Sequence, residues 1–239
     1  ASSAARALGG PATRWNLLFT HHHHDHIQGM PFFPPLYGGR HPIQLWGPRP
    51  EADVGALRAQ MAAPFFPVEW QTVEQNVTPR LVTGSAFEVG AMRVRLLELT
   101  HPGGCVGVRI DCGSASVAFL TDHELDLDCT EAASGRRVAP ETLCARLRGV
   151  DTLVADGQYT DDEYVDRVGW GHPRATTLVD LADQIGARRL VITHHDPDQT
   201  DAEVAAKRDA CLARAGAIGA SLSIQAAHDG LRLTWETDP

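Results

Sequence analysis

Short apolar segments alternate with helical stretches along this chain, and most of the apolar segments end in polar or glycine-rich loops. Their β-branched and apolar content is typical of strands. The segments predicted as strands are WNLLFT (15–20), IQLW (43–46), MRVRLLEL (92–99), VGVRI (106–110), SVAFLT (116–121), DTLVAD (151–156) and RLVIT (189–193). Helices are predicted over residues 51–61, 140–148, 174–186 and 200–215, the last opening with Thr200 and Glu203 in capping-box spacing. This alternation predicts the α/β class.

A further pair of strands is predicted near the end of the sequence. SLSIQ (221–225) and LRLTWE (231–236) are joined by AAHDG, in which Asp229-Gly230 is a tight-turn signal. We expect the two segments to form a hairpin.

Size and charge limit the classes of function that the chain can have. At 239 residues with 43% hydrophobic content it can bury one substantial core, so a single domain over residues 1–239 is the simplest expectation. Its 21 basic and 30 acidic residues give a formal charge of −9. An excess of acidic residues disfavours extended nucleic-acid binding and favours small or locally held substrates.

Cysteine usage and hydropathy bear on location. The five cysteines are odd in number and lack a CxxC pattern, so we expect neither a disulfide framework nor a zinc knuckle, and a cytoplasmic location. No apolar run approaches the ~20 residues that a membrane-spanning helix needs. The first residues, ASSAARALGG, carry no signal-peptide core. These observations predict a protein that does not insert into membranes.

Four consecutive histidines lie in LLFTHHHHDHIQG (17–29). Such a run could be a purification tag, a flexible metal-binding tract or part of a built site. A tag is a uniform run at a terminus that needs nothing from its neighbours. Here Leu17, Leu18 and Phe19 lead in like the end of a buried strand, and Asp25 and the residues after it continue the run. The flanking residues favour a site on a fold.

Histidines and aspartates follow several of the predicted strands. They are His21, His23, Asp25 and His26 after one strand, Asp122 after another and His194 after a third. In layered α/β proteins the loops beyond strand ends converge on one rim, so residues distant in sequence can meet there. Imidazole nitrogen and carboxylate oxygen both bind zinc and similar divalent ions. The pattern predicts a metal site.

The histidine run also has an internal alternation. In extended chain residues i and i+2 point the same way, so His21 and His23 can bind one ion. Asp25 and His26, on the turn that follows, can reach a second ion. The histidines at 22 and 24 point to the opposite side and receive no metal role.

The segment THHHHDHIQG matches the signature T-H-x-H-x-D-H-x-x-G, and the chain resembles the metallo-β-lactamase-fold metallohydrolases. Further matching motifs, in the family's order, are HPGG (101–104), FLTDHE (119–124), ADGQYTDDEY (155–164), GWGH (169–172) and THHDPDQTDAE (193–203). A GH motif upstream of a TH motif is similar to the ribonuclease Z and cyclic-phosphodiesterase branch. The resemblance implies an αββα sandwich, two mixed β-sheets flanked by helices. The family's first strands, which end in an Asp-x-Gly stretch, are not found. We expect them to lie outside this sequence; the alternative is a shortened protein with one sheet edge uncovered.

The same resemblance implies two divalent metal ions, with zinc expected first and manganese or iron as alternatives. The implied ligands are His21, His23 and His101 for one ion, Asp25, His26 and His194 for the other, and Asp122 as the bridge between them. A hydroxide shared by the two ions would be the nucleophile. Catalytic roles are implied for Asp25 and for His172, the latter facing the scissile phosphate as a general acid or a charge-stabilising donor.

These motifs favour a hydrolase that cleaves a small-molecule or nucleotide phosphodiester. A thioester or lactone hydrolase on the same metals is the alternative, because the ligands do not distinguish carbon from phosphorus centres. A metal-binding sensor without turnover is a reading from another class. The aromatic segments MPFFPPLYGG (30–39) and APFFPVEW (63–70) could form a pocket wall, pack in the core or make a subunit contact, which leaves a homodimer open.

Overall fold

The computed structural model describes residues 12–83 and 86–235. The segment ASSAARALGG lies outside the described residues, as does Glu236 at the end of the expected hairpin. The chain divides into two compact units, unit 1 (Ala1–Ala86) and unit 2 (Phe87–Pro239), and each is described by itself. The expectation of one domain over residues 1–239 stays a prediction.

Unit 1 contains a three-stranded sheet of order β1-β2-β3, formed by β1 (Trp15–Leu18), β2 (Ile43–Gly47) and β3 (Val77–Leu81). Both pairings are parallel, with Trp15 opposite Ile43 and Ile43 opposite Val77. The first two strands were expected. The third was not, because Pro79 interrupts the strand pattern, and a proline is tolerated here since β3 is an edge strand.

Within the described residues of unit 1 there are two helices, the single turn α1 (His24–Ile27) and α2 (Pro50–Gln60). Short 3-10 turns form at Met30–Phe32 and Pro34–Leu36, in a proline-rich segment, and at Trp70–Thr72 and Glu74–Asn76. The core of this unit is built from Met30, Leu36, Ile43, Leu45, Leu57, Met61, Trp70, Val73 and Val77. The sheet and α2 therefore bury one apolar layer.

The aromatic segments of unit 1 divide between core and surface. Phe33 and Phe66 pack against the core of the unit. Phe32 and Phe65 are 74% and 81% exposed, and the Phe32 ring meets Phe66 edge-on at 5.4 Å between centroids. Core packing thus accounts for two of the four phenylalanines.

Unit 2 is organised around a seven-stranded mixed sheet of order β12-β11-β10-β7-β6-β5-β4. Its strands are β4 (Ala86–Val89), β5 (Met92–Leu99), β6 (Cys105–Cys112), β7 (Ala115–Leu120), β10 (Thr152–Asp156), β11 (Arg189–Thr193) and β12 (Ser223–Ala226). β5, β6 and β7 are antiparallel neighbours, whereas β7, β10, β11 and β12 are parallel. A separate two-stranded ribbon pairs β8 (Thr130–Glu131) with β9 (Arg137–Val138).

The helices of unit 2 are α3 (Leu125–Asp128), α4 (Glu141–Leu147), α5 (Asp161–Tyr164), α6 (Ala175–Ile185) and α7 (Asp201–Ile218). α6 presents a continuous apolar face to β10 and β11, with Leu178, Val179 and Ala182 buried. α7 begins with the expected capping box, since the Thr200 side chain accepts from Glu203 N and the Glu203 carboxylate accepts from Thr200 N. Sheets and packed helices confirm the predicted α/β class.

The expected hairpin at the end of the chain is wrong for the residues described. β12 is present, but residues 231–235 form no strand. The Asp229-Gly230 turn does form, with Gly230 at φ +85°. The chain then leaves β12, and Trp235 Nε1 donates to Thr152 Oγ1 at the start of β10, two strands away (3.3 Å). The turn signal thus predicted the turn but not the path of the chain after it, which reaches β10 at Trp235.

Parallel order places three strand ends of unit 2 side by side. β7, β10 and β11 are neighbours in the sheet and run in the same direction. Asp122 follows β7, Asp156 ends β10 and His194 follows β11. The loops beyond the carboxyl ends of parallel strands are where open α/β sheets build their sites. None of the described helices is long and apolar enough to cross a membrane.

Candidate metal centre

The histidine-rich stretch of unit 1 follows β1 and continues into α1. His23 is extended at φ −63°, ψ 151°, and α1 then turns the chain. The rings of His21 and His23 meet edge-on at 4.5 Å between centroids, and those of His21 and His26 lie 4.2 Å apart. His26 Nε2 is 2.8 Å from Asp25 Oδ2. Unit 1 therefore brings its four predicted ligands into one cluster.

His22 faces a different partner. Its Nε2 lies 2.6 Å from Oδ1 of Asp53, a buried carboxylate on α2. Burial raises the pKa of Asp53, and the hydrogen bond to His22 opposes that shift. His24 is exposed. His22 therefore has a carboxylate partner outside the cluster, whereas the alternation of the run as a whole stays a prediction.

Asp122 and His194 share an unusual backbone conformation. Among the described residues they are the two non-glycine residues with positive φ, at +42° and +55°. Left-handed backbone is uncommon for non-glycine residues and costs of order 1–3 kcal/mol, and such strain concentrates at functional sites. Asp122 lies two residues beyond the end of β7 and His194 one residue beyond the end of β11, so both strained residues lie at the ends of parallel strands.

The two carboxylate oxygens of Asp122 face two different histidines. Oδ1 lies 3.5 Å from His194 Nε2, and Oδ2 lies 3.8 Å from His101 Nε2. Both distances exceed the usual N–H···O range of about 2.7–3.2 Å. Two ligand atoms on one tetrahedral ion, each about 2.1 Å from it, lie about 3.4 Å apart. The spacing therefore suits a carboxylate that shares one ion with each histidine.

The hydrogen bond of His101 fixes which ring nitrogen can bind a metal. His101 Nδ1 lies 2.9 Å from the carbonyl oxygen of Gly171, which can only accept, so Nδ1 carries the proton. In the neutral ring Nε2 then carries the lone pair, and Nε2 is the atom that faces Asp122. Gly171 has φ +97°, and a Cβ there would come within 2.4 Å of His101 Nδ1. Only glycine fits this approach.

His172 is held by a carboxylate that had no assigned role in the sequence. Its Nδ1 lies 2.8 Å from Oδ2 of Asp156, and Oδ1 of Asp156 accepts from Gln158 N at 3.0 Å. The His172 ring stacks on His194 with centroids 4.9 Å apart. Asp156 lay within the quoted motif ADGQYTDDEY, at the end of a predicted strand like Asp122, and that position is the signal that could have identified it.

Unit 2 therefore contains a compact set of metal-ligating groups, the unit 2 cluster of Asp122, Asp156, His172 and His194. One ligand atom from each lies within 4.8 Å of the others. Nitrogen and oxygen donors of this kind suit zinc, manganese or iron. The donor chemistry and the spacing of the cluster fit a divalent metal ion.

The family model described as the β-lactamase superfamily domain matches residues 16–195, a span that includes the histidine-rich stretch and the unit 2 cluster. The chain belongs to this superfamily. The expected resemblance is thereby confirmed, and the strand-end residues lie where that domain matches.

Curated and solved relatives of this superfamily domain agree with the fold. The chain is 27% identical over 224 residues to ribonuclease Z of Myxococcus xanthus (strain DK1622), and the alignment covers 76% of this chain and 71% of the relative. The metallo-β-lactamase fold protein YhfI from Bacillus subtilis aligns with a TM-score of 0.63 at 16% identity, over 91% of this chain and 76% of its own. A diphosphatase of the PhnP family aligns with a TM-score of 0.62 at 20% identity, over 98% and 76%. The fold is therefore that of the metallo-β-lactamases.

Superfamily and curated relatives together indicate a metal-dependent hydrolase. The unit 2 cluster supplies a candidate His/Asp metal site for such an enzyme.

Proposed function

We propose that the protein is a dinuclear metal-dependent phosphodiesterase, with zinc as the first candidate metal. The observation that carries the proposal is Asp122, whose two oxygens face His101 and His194 at distances suited to shared ions. The proposed ligands are His21, His23 and His101 for one ion, Asp25, His26 and His194 for the other, and Asp122 between them. The unit 1 residues are proposed as ligands because they match the signature motif of the family.

Two divalent ions would act as Lewis acids on the phosphoryl oxygens and lower the pKa of bound water from about 15.7 toward ~7. The chain itself supplies positioning and proton transfer. Asp25 contributes its carboxylate as both a ligand and a catalytic group. Asp122, buried and held at its strained turn, orients the ligands on either side of it.

His172 is proposed as the general acid or charge-stabilising donor. Since Nδ1 donates to Asp156, the ring presents Nε2 as the atom that exchanges a proton with the leaving oxygen. The Asp156 carboxylate, buried beneath it, stabilises the imidazolium form and fixes the ring orientation. His172 Nε2 can serve either the leaving oxygen or a metal ion but not both at once, so the metal content of His172→Ala distinguishes the two roles.

The phosphodiester class is supported by the curated relatives. Ribonuclease Z of M. xanthus, by its name, acts on RNA, whose backbone is joined by phosphodiesters. We propose a small-molecule or nucleotide phosphodiester as the substrate, because a charge of −9 disfavours extended contact with a polyanion. A cytoplasmic location and a homodimer stay predictions.

A substrate panel tests this proposal. The metal-loaded protein is assayed with bis-p-nitrophenyl phosphate, cyclic nucleotides, short RNA, a thioester and a lactone. We expect measurable turnover of at least one phosphodiester and a kcat/KM that exceeds those for the thioester and the lactone. A higher kcat/KM for the thioester or the lactone would contradict the phosphodiesterase proposal and indicate a hydrolase that acts on carbonyl groups. Binding of metal without turnover of any compound would favour a sensor.

A further inference from the structure

We infer that Glu124 is a positioning residue, which holds the GH loop (residues 169–172) so that Gly171 sets the ring of His101 and His172 reaches its place. The expected effect on catalysis rests on the proposed function. The contacts that carry the inference all lie within unit 2.

Glu124 is a buried carboxylate, 1% exposed, whose oxygens accept three hydrogen bonds. Gly169 N donates to Oε1 at 2.6 Å and Gly171 N donates to Oε2 at 2.7 Å. Tyr164 Oη donates to Oε1 at 2.9 Å. A buried ionised carboxylate is costly unless it is satisfied in this way, and charge-assisted bonds to backbone amides are short and strong. The carboxylate therefore accepts a backbone hydrogen bond from the GH loop on each side of Trp170.

Gly171 connects the Glu124 carboxylate to His101, a predicted metal ligand. Its N–H donates to Glu124, and its carbonyl oxygen accepts from His101 Nδ1 at 2.9 Å. One residue thus separates the carboxylate from the imidazole. A shift of the GH loop would remove the acceptor that keeps the proton on Nδ1 and the lone pair on Nε2. Glu124 acts on His101 through this carbonyl.

A second carboxylate anchors the chain just beyond the GH loop. Asp126 accepts from Arg174 N and Arg174 Nε, both at 2.8 Å, and from Thr177 Oγ1 at 2.6 Å. His172 lies between the two anchors. Glu124 and Asp126 follow Asp122 closely in sequence, so the segment that carries the proposed bridging aspartate also holds the loop that carries His172.

The hydrogen bonds to Glu124 require two acceptor oxygens. Two backbone amides and one hydroxyl all donate toward Glu124, and burial together with the Glu124 carboxylate raises the pKa of Tyr164, which keeps its proton. A glutamine at this position would have one acceptor oxygen and would place its NH₂ group against a donor. An aspartate would keep both oxygens on a shorter side chain.

The test compares Glu124→Gln with Glu124→Asp, Tyr164→Phe and Trp170→Ala. The last is the matched control, because Trp170 lies within the GH loop but its side chain is 62% exposed. Nuclear magnetic resonance of ¹⁵N-labelled histidine in the metal-depleted protein reports the His101 Nδ1–H signal, and competition titration reports the affinity for Zn²⁺ alone. We expect Glu124→Gln to lose the signal and about 10- to 100-fold in Zn²⁺ affinity and in kcat. Glu124→Asp should recover part of each, and Trp170→Ala should keep the wild-type signal and affinity.

The outcomes separate this inference from the proposed function. A folded Glu124→Gln protein with the wild-type Nδ1–H signal and Zn²⁺ affinity would overturn it, whatever the substrate. If Glu124→Gln does not fold, Glu124→Asp decides, because its shorter side chain withdraws both acceptor oxygens from Gly169 N and Gly171 N. Faster exchange of the His101 Nδ1 proton with weaker Zn²⁺ binding supports the inference, and wild-type values refute it. A wild-type protein inactive on every phosphodiester would remove the proposed function and leave the signal and affinity readouts intact.

Discussion

Asp122 and His194 show how single residues shape this site. Each accepts a positive φ that costs of order 1–3 kcal/mol, and each places its side chain beyond the end of a parallel strand. Their residue types and positions in the chain could be predicted from the sequence. Their backbone conformation and the pairing of Asp156 with His172 could not, because both depend on strand order, which sequence periodicity does not reveal.

Metal retention distinguishes the predicted ligands from their neighbours in the histidine run. Asp122→Ala should lose far more metal than His22→Ala, because Asp122 faces two histidines whereas His22 is bonded to Asp53. Elemental analysis of purified variants, with thermal unfolding to confirm folding, measures this. His24→Ala, a change at an exposed position, is the control and should retain wild-type metal. Equal losses in all three variants would refute the alternation of the run.

The role of His172 can be read from the leaving group. His172→Ala should retain metal and fold, while kcat falls by roughly 10² or more. A general acid matters most for a poor leaving alkoxide, so the loss should be larger on an alkyl or nucleoside ester than on a p-nitrophenyl ester. An equal loss on both would indicate charge stabilisation. Wild-type rates on every phosphodiester would make His172 structural.

At the scale of elements, α7 ties together two of the loops beyond the strand ends. Lys207, the only lysine in the sequence, is 2% exposed. Its Nζ donates to Gln158 O in the loop after β10 and to Gln199 Oε1 in the loop after β11, both at 2.8 Å. These loops carry the residues next to Asp156 and His194. Through Lys207, α7 therefore stabilises the two loops that flank the unit 2 cluster.

Burial lowers the pKa of Lys207 to about 8, which predicts a pH dependence of stability. Between pH 8 and the ordinary value of 10.5 the unfolded chain binds more protons than the folded chain, so the free energy of unfolding gains a contribution that rises with pH, by up to about 3 kcal/mol. Lys207→Met should lack this rise. Urea unfolding from pH 7.5 to 10.5 measures it as the difference between the two proteins. Arg208→Met, a change at the next residue, should keep the rise, and parallel curves for Lys207→Met and wild type would contradict the assignment.

Secondary structure was predictable where the signal was local. The strand Met92–Leu99 and the capping box at Thr200 depend on residue type and short spacing. β3 was missed because Pro79 suits only an edge strand, and edge position is a tertiary property. The final hairpin failed for a related reason, since the contact of Trp235 with Thr152 lies outside the reach of a turn signal.

For the whole molecule, the family motifs predicted more of the site than periodicity did. The signature motif predicted the unit 1 histidines as ligands, which stays a prediction, and later motifs contained the unit 2 residues in the order in which the sheet presents them. The substrate is another matter, because metal ligands recognise an ion and the pocket around it recognises the substrate. We therefore propose a dinuclear centre that hydrolyses phosphodiesters as the claim to be tested.

One titration tests that claim directly. Metal-depleted protein is titrated with Zn²⁺ while the hydrolysis of bis-p-nitrophenyl phosphate is followed, since seven proposed ligands are too many for one tetrahedral ion. We predict that the rate rises until two equivalents of Zn²⁺ per chain are bound and then reaches a plateau. A plateau at one equivalent, or no hydrolysis at any ratio of Zn²⁺ or Mn²⁺ to protein, would contradict the account.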